Sequence, residues 1–223
     1  MLEARDNWPW DSGARDKIGV KDEFQRVALT LAGSREADRV SGVLFSGARP
    51  REGASTAMLA VGREIQRALR LRPLLVELNR IRPCFTQRLR LDSERSVHAM
   101  ITRAAALKDC VQTDSTGVAF LPAGGDWPGA SASTIACRIL QESEGRFDLV
   151  LFDMPPMLES ADTLAAGSVV KDLIIVVRAG RTSSEVLSRI RQQSEGAGMK
   201  IAGSILTMQQ RIVPRWLDRW LVG

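Results

Sequence analysis

The most informative segment of the chain is Ser46-Gly47-Ala48-Arg49-Pro50-Arg51-Glu52-Gly53-Ala54-Ser55-Thr56. A short apolar run at 43–45 precedes it, and apolar residues recur at helical spacing over 57–71. The pattern predicts a buried strand, a loop that contains glycine and hydroxyl residues, and then a helix. Backbone N–H groups in such a loop and at the start of the helix can hold an anion. The segment therefore predicts a phosphate-binding loop at the head of a helix.

The order of side chains in this loop follows the Walker A pattern except at one position. In that pattern a lysine neutralises the outer phosphates, and the hydroxyl residue after it holds a magnesium ion. Gly53, Ser55 and Thr56 stand where the pattern requires them, but Ala54 stands in place of the lysine. ATP and Mg²⁺ are the ligands that the pattern predicts, and the missing lysine leaves their binding open. The alternative is an ordinary strand–helix turn that Ser55 or Thr56 caps.

The residues predicted to contact the nucleotide all lie in this loop or in the first turn of the helix. They are Arg49, Arg51, Gly53, Ala54, Ser55 and Thr56.

Short apolar segments recur along the chain, each followed by small or turn-forming residues. They span 43–45, 74–76, 118–121, 149–152, 173–177 and 201–206. Runs without polar alternation are typical of strands that are buried on both faces. Helical patterns lie between them, for example at 131–144 and 183–195. The alternation predicts an α/β fold of the P-loop NTPase (Rossmann-like) type, a mostly parallel sheet with helices on both faces.

The chain divides into three predicted parts. Residues 1–20 are polar and contain Gly, Pro and Trp, which predicts a flexible N-terminal arm. Residues 21–210 form the predicted P-loop domain, and an amphipathic helix opens it at 21–32. Residues 211–223 form an amphipathic segment with tryptophan and leucine on one helical face and arginine on the other. Such a segment suits a membrane surface or a groove on a partner, and packing on its own sheet is the alternative.

Two acidic residues stand where strands of the predicted sheet end. Glu77 follows Leu74-Leu75-Val76, and Asp153 follows Leu149-Val150-Leu151-Phe152. In a parallel sheet the carboxyl ends of the strands meet at one edge, together with the phosphate loop. We therefore expect Glu77 and Asp153 to converge with Ser55 on a magnesium ion or its waters.

Composition narrows the classes of function. The 223 residues carry a formal net charge of +5, and the arginines are dispersed, so no nucleic acid is expected as a partner. No apolar stretch is long enough to span a bilayer, and the three cysteines are far apart. Both features are typical of a cytoplasmic protein with reduced thiols, and we expect Cys84 to be inert. The chain contains no tyrosine.

The ordered motifs resemble those of the bacterial tyrosine kinases of capsule and exopolysaccharide synthesis, which are relatives of the MinD/ParA ATPases. The family's loop Pro-Gly-Glu-Gly-Lys-Ser-Thr is matched by Pro50-Arg51-Glu52-Gly53-Ala54-Ser55-Thr56. Its Asp-x-Asp-x-x-Arg-Pro pattern is matched by Glu77-Leu78-Asn79-Arg80-Ile81-Arg82-Pro83, and its Asp-x-Pro-Pro strand end by Asp153-Met154-Pro155-Pro156. The resemblance implies catalytic positions at Asp153, Glu77 and Asn79, in a kinase-like domain over 21–210.

The departures from the family pattern fall on residues of its chemistry. Ala54 removes the lysine, while Glu77 and Asn79 replace two aspartates. Arg51 replaces a loop glycine, and we expect it to disfavour the conformation that glycine allows. The absence of tyrosine excludes tyrosine autophosphorylation. Arg49 or Arg51 could reach a phosphate in place of the lysine, and the alternative is that both are solvated.

Subunit packing is the other property that the resemblance leaves open. Of the family's Glu-x-x-Arg-x-x-Arg packing element, Glu23 and Arg26 are present, but Leu29 replaces the last arginine. A homo-oligomer is therefore an open expectation.

Three functions follow from these observations. The first is a catalytically impaired kinase-like protein that regulates or scaffolds exopolysaccharide or capsule synthesis and export. The resemblance implies the cytoplasmic part of a membrane polysaccharide chain-length or export protein as its partner. The second is an active ATPase or protein kinase in which Arg49 or Arg51 replaces the lysine. The third is a MinD-like positioning factor that binds the inner face of the cell membrane through 211–223.

Overall fold

The computed structural model describes residues 18–35, 39–114 and 116–207. The predicted C-terminal segment, 211–223, and most of the predicted arm, 1–20, lie outside the described residues.

Helices and strands alternate along most of the described chain. The strands are β1 (Ser41–Gly47), β2 (Pro73–Glu77), β3 (Gln112–Thr113), β4 (Ala119–Leu121), β5 (Leu149–Asp153), β6 (Asp172–Arg178) and β7 (Lys200–Thr207). The helices are α1 (Ile18–Gly33), α2 (Ala54–Leu69), α3 (Phe85–Leu89), α4 (Val97–Thr102), α5 (Leu107–Cys110), α6 (Ala132–Ser143), α7 (Ala161–Val170) and α8 (Ser184–Gly196).

The strands form one seven-stranded sheet in the order β3-β4-β2-β5-β1-β6-β7. All neighbouring strands are parallel except β3 and β4, which pair antiparallel. The predicted α/β fold is confirmed, and each of the six predicted strands is present. Strand β3 was missed because it has only two residues, both polar, at the edge of the sheet.

Helices cover both faces of the sheet, as predicted. Alternate residues of the central strands point to opposite sides, so Val43 and Phe45 pack with α1, α2 and α3, while Leu44 packs with α4 to α8. Both layers are apolar and closely packed, which explains why the strand segments contain almost no polar residues.

Two predicted helix boundaries differ from those observed. Helix α1 begins at Ile18, so the arm predicted for 1–20 ends before that residue. Helix α2 begins at Ala54, earlier than the apolar pattern indicated, because the polar residues of its first turn carry no periodic signal.

The topology brings three strand ends together in the centre of the sheet. Strand β5 lies between β1 and β2, and in its register Asp153 is opposite both Phe45 and Glu77. The loop after β1 therefore starts beside two acidic strand ends. None of the described helices is both long and apolar enough to cross a membrane.

Candidate functional site

The phosphate loop joins the end of β1 to the head of α2, and its last residue is Gly53. Gly53 is the N-cap of α2 with φ 90° and ψ 20°, a left-handed conformation that favours glycine. The carbonyl of Gly53 accepts the first helical hydrogen bond, from Ala57 N at 2.8 Å. No side chain caps the helix, since Ser55 and Thr56 already lie inside it. The alternative of a turn capped by either hydroxyl is therefore wrong.

Arg51 adopts the conformation that we expected it to disfavour. Its φ is 63°, in the left-handed region, although it carries a side chain. A residue with a Cβ pays about 1–2 kcal/mol for this conformation, so the loop keeps its shape at the expense of local strain. Arginine therefore disfavours this conformation, but contacts on both sides of Arg51 hold the loop in it.

Glu52 supplies most of those contacts. The residue is buried, and its Oε2 accepts a hydrogen bond from Arg49 N at 2.9 Å, inside the loop itself. Its Oε1 accepts from Thr182 Oγ1 at 2.6 Å, and its carbonyl accepts from Thr207 Oγ1 at 2.6 Å. The loop is thus fixed to the segment before α8 and to the end of β7 without any ligand.

Position 54 brings no charge to the head of α2. Ala54 is the first residue of the helix and packs against the core layer shared by α1, α2 and α3. Arg49 and Arg51 are both exposed, and within the described part of the chain neither guanidinium forms an ion pair. The structure therefore places them on the loop surface, while their role as phosphate ligands stays a prediction.

Asp153 is fully buried at the end of β5 and contacts the first turn of α2. Ser55 Oγ donates a hydrogen bond to Asp153 Oδ2 at 2.7 Å. The other oxygen, Oδ1, is buried and has no hydrogen-bond partner. Burial raises the pKa of Asp153 to about 8, and the charge of Glu77 adds to the increase, while the Ser55 hydrogen bond opposes it. At neutral pH the carboxyl therefore holds a proton.

Glu77 lies next to Asp153 but is bonded to the backbone. Its Oε1 accepts from the amides of Cys84 and Phe85, and its Oε2 accepts from Ala123 N at 3.1 Å. Burial raises the pKa of Glu77, while these amides favour its charged form. Glu77 thus joins the end of β2 to the start of α3 and to the loop after β4.

Asn79, the third predicted catalytic position, holds its own loop. Its Oδ1 accepts a hydrogen bond from Arg82 N at 3.2 Å. The carboxyl group of Glu77, which is one methylene longer than the aspartate of the family pattern, lies near that of Asp153. The Asn79 side chain closes the turn after β2.

Cys84 also lies in this site, which its sequence context did not indicate. One ligand atom each from Glu77, Cys84 and Asp153 lies within 4.8 Å of the other two. Burial raises the pKa of the Cys84 thiol to about 12, and the charges of Asp153 and Glu77 add to the effect. A thiol with this pKa is a poor nucleophile, in agreement with the expectation of an inert cysteine.

Arg88 was also missed. It lies on the five-residue helix α3, and its Nη1 donates to Thr56 Oγ1 at 3.1 Å. Its positive charge lowers the pKa of Asp153 and of Cys84, against the larger effect of burial. No sequence signal marked Arg88, because its position depends on how the chain turns after β2.

The donor atoms fit a cation better than they fit a triphosphate. Ser55, Glu77 and Asp153 offer oxygen atoms of the kind that magnesium prefers, and Asp153 Oδ1 lacks a partner. For the phosphates, the loop offers the head of α2, but position 54 offers only a methyl group. Cys84 is the one donor of the cluster that does not suit magnesium.

Curated relatives of this chain include bacterial tyrosine-protein kinases. The chain is 23% identical to tyrosine-protein kinase YwqD of Bacillus subtilis over 196 residues, which cover 83% of this chain and 79% of the relative. It is 35% identical to tyrosine-protein kinase etk of Escherichia coli K12 over 69 residues, 31% of this chain and 10% of that protein. No family model matches the chain.

The solved structures show the same fold. The kinase domain of the Escherichia coli tyrosine kinase ETK superposes with a TM-score of 0.78 at 18% identity, covering 96% of this chain and 86% of that one. Cobyrinic acid a,c-diamide synthase from Mycobacterium smegmatis, with bound ATP analogue and magnesium, gives 0.67 at 19% identity, covering 82% and 81%. The chain is therefore similar in sequence to bacterial tyrosine kinases over most of its length, and it has the fold of their kinase domains and of related P-loop proteins.

Proposed function

We propose that this protein is a catalytically impaired member of the tyrosine-kinase family, which regulates or scaffolds exopolysaccharide or capsule synthesis by docking rather than by phosphoryl transfer. The observation that carries the proposal is Ala54 at the head of α2. Phosphoryl transfer depends on charge neutralisation, and one positioned cation contributes about 10³–10⁵ in rate. A methyl group at this position leaves the loop without that contribution.

The state of Asp153 supports the same proposal. The hydroxyl of Ser55 and the carboxyl of Asp153, which were predicted to hold magnesium, are hydrogen-bonded to each other. The chain also has no tyrosine to modify. What remains is a domain whose loop is held by the hydrogen bonds of Glu52.

The proposed partner is the cytoplasmic part of a membrane polysaccharide chain-length or export protein. The resemblance to the bacterial tyrosine kinases implies this partner. Leu29 on α1 is about half exposed, next to the exposed Glu23–Arg26 pair of the partial packing element, so this helix offers an apolar contact. A surface of this kind serves docking and does not require turnover.

Binding to that partner, measured with and without Mg·ATP, tests the proposed function. We expect the full chain to bind the partner's cytoplasmic segment equally well in both conditions, and Asp153→Ala to bind as well as the wild type. We also expect no transfer of phosphate to the partner. ATP-dependent phosphorylation that Asp153→Ala abolishes would contradict the proposal.

A second candidate function is an ATPase or protein kinase with a substitute cation. Arg88 favours it, since its guanidinium already contacts Thr56 in the first turn of α2. Arg49 and Arg51 are the substitutes that the sequence suggested, and both are exposed. Under this alternative, Arg88→Ala lowers the affinity for Mg·ATP by about 10-fold, as loss of a charged hydrogen bond does. Arg189→Ala, an exposed charge on α8, is the matched control.

A further inference from the structure

Four side chains from separate parts of the chain meet at the edge of the sheet. Glu77 ends β2, Cys84 precedes α3, Ser55 lies in the first turn of α2 and Asp153 ends β5. The potential ligand atoms of Glu77, Cys84 and Asp153 all lie within 4.8 Å of one another. Ser55 Oγ donates a hydrogen bond to Asp153 Oδ2.

A second observation shows that this cluster is incomplete. Asp153 Oδ1 is buried and has no hydrogen-bond partner. Buried polar atoms in proteins are almost always paired, because an unpaired one loses its interaction with water and gains nothing in return. The unpaired oxygen belongs to the carboxyl that faces Glu77 and Cys84, so a cation between these groups supplies the missing interaction.

The chemistry of the donors indicates the class of cation. Magnesium and calcium take oxygen ligands, whereas zinc and related metals take thiolate together with carboxylate. The cluster contains one sulfur donor and two carboxyl groups. A metal that binds thiolate displaces the thiol proton, which overcomes the high pKa of the free side chain.

We propose that Glu77, Cys84 and Asp153 form a binding site for a divalent cation of the zinc class, with Cys84 Sγ as a direct ligand. Binding releases the protons of the Cys84 thiol and the Asp153 carboxyl to solvent. Because position 54 is alanine, no lysine is present there to compete with the metal for the two carboxylates. The inference goes beyond the proposed docking function and does not depend on a nucleotide.

The surroundings of the cluster are arranged as metal ligands usually are. Backbone amides of Cys84 and Phe85 hold Oε1 of Glu77, and that of Ala123 holds Oε2, which keeps a second lone pair for a metal. Such outer hydrogen bonds orient a ligand and sharpen affinity. Cys84 is only partly buried, which leaves a path from solvent.

Cobalt(II) is the probe that reads the sulfur ligand directly. Added to the metal-free full chain, it is expected to bind at one equivalent and to give the near-ultraviolet absorption of a thiolate-to-cobalt bond. Zinc is expected to remove this absorption, while excess magnesium is not. Cys84→Ser should abolish the band and weaken zinc binding by at least about 10-fold, whereas Cys137→Ser, a partly buried thiol on α6, should leave both unchanged. No band in the wild type, or a band that persists in Cys84→Ser, would overturn the proposal.

A second measurement uses only the wild-type chain. Iodoacetamide alkylation of the wild-type thiols, located by mass spectrometry, is expected to slow at Cys84 when zinc is added and to stay unchanged at Cys137. Equal rates at Cys84 with and without zinc contradict the proposal. Neither experiment involves turnover or the partner, so failure here leaves the proposed docking function standing.

Discussion

Ser55 Oγ donates a 2.7 Å hydrogen bond to Asp153 Oδ2, so the first turn of α2 is bonded directly to the end of β5. Both residues were predicted to hold a magnesium ion. In this structure they are hydrogen-bonded to each other, and the buried side chain of Glu52 holds the adjacent loop. Hydrogen bonds between its own side chains and backbone therefore organise the site.

The protonation of Asp153 makes stability depend on pH. Its pKa in the folded protein is about 8, far above the ordinary value of 3.8 for an aspartate. The folded state therefore binds one more proton than the unfolded state between these values, so stability is full below about pH 4 and is lost as pH rises through about 8. We expect the free energy of unfolding of the wild type to fall by at least about 2 kcal/mol relative to Asp153→Asn between pH 5 and pH 8.

Urea denaturation at a series of pH values measures this difference. Asp172→Asn, a partly exposed carboxylate at the start of β6, serves as the control that should keep the wild-type profile. A constant difference between wild type and Asp153→Asn across the range would show that Asp153 is charged throughout.

Restoring the lysine should restore affinity for nucleotide. Ala54→Lys puts an ammonium group at the head of α2, and a charged hydrogen bond contributes about 1.5–3 kcal/mol. We expect Mg·ATP to bind at least about 10-fold more tightly, as measured by isothermal titration calorimetry. Ala54→Met, which has similar length and no charge, should bind like the wild type. Equal affinities for the lysine and methionine variants would contradict the role given to this position.

Returning glycine to position 51 should stabilise the loop. Arg51 has φ 63°, where glycine is free of the strain that a Cβ causes. We expect Arg51→Gly to raise the free energy of unfolding by about 1 kcal/mol. Arg49→Gly, at a position without positive φ, should lower it instead, and both changes can be read from thermal unfolding. Destabilisation by Arg51→Gly would mean that the arginine side chain contributes more than its backbone costs.

Removing the carboxylate of Glu52 should destabilise the loop. Glu52→Ala leaves Arg49 N and Thr182 Oγ1 without their acceptor, and such a loss costs about 1–3 kcal/mol. Glu159→Ala, an exposed glutamate after β5, is the matched control and should change stability by less than about 0.5 kcal/mol. Chemical denaturation of the two variants measures the difference, and equal effects would show that Glu52 does not hold the loop.

The arrangement of the sheet could be predicted from the sequence because its strands are buried on both faces. Runs such as Leu149-Val150-Leu151-Phe152 are too apolar to lie anywhere but in the interior of the sheet. Parallel strands then bring their carboxyl ends together at one edge. The adjacency of Glu77 and Asp153 follows from this and is observed in the register of β2 and β5. Their roles with a metal or nucleotide stay predictions.

The remaining features depend on tertiary contacts that leave no local signal. Cys84 and Arg88 reach the site only because the chain turns back after β2, which Glu77 enforces through the amides of Cys84 and Phe85. The buried state of Glu52 depends on hydroxyls far away in sequence, at Thr182 and Thr207. A charged residue in a loop is normally solvated, and nothing in the sequence around Glu52 indicates that it is buried.

The most direct test of the central claim is the rate at which the full chain releases phosphate from ATP in the presence of magnesium, measured beside Asp153→Ala. The missing lysine predicts the same background rate for both proteins, in the presence and absence of the partner. A wild-type rate at least about 10-fold above that of Asp153→Ala, equivalent to about 1.4 kcal/mol of transition-state stabilisation, would show that the site is an active enzyme.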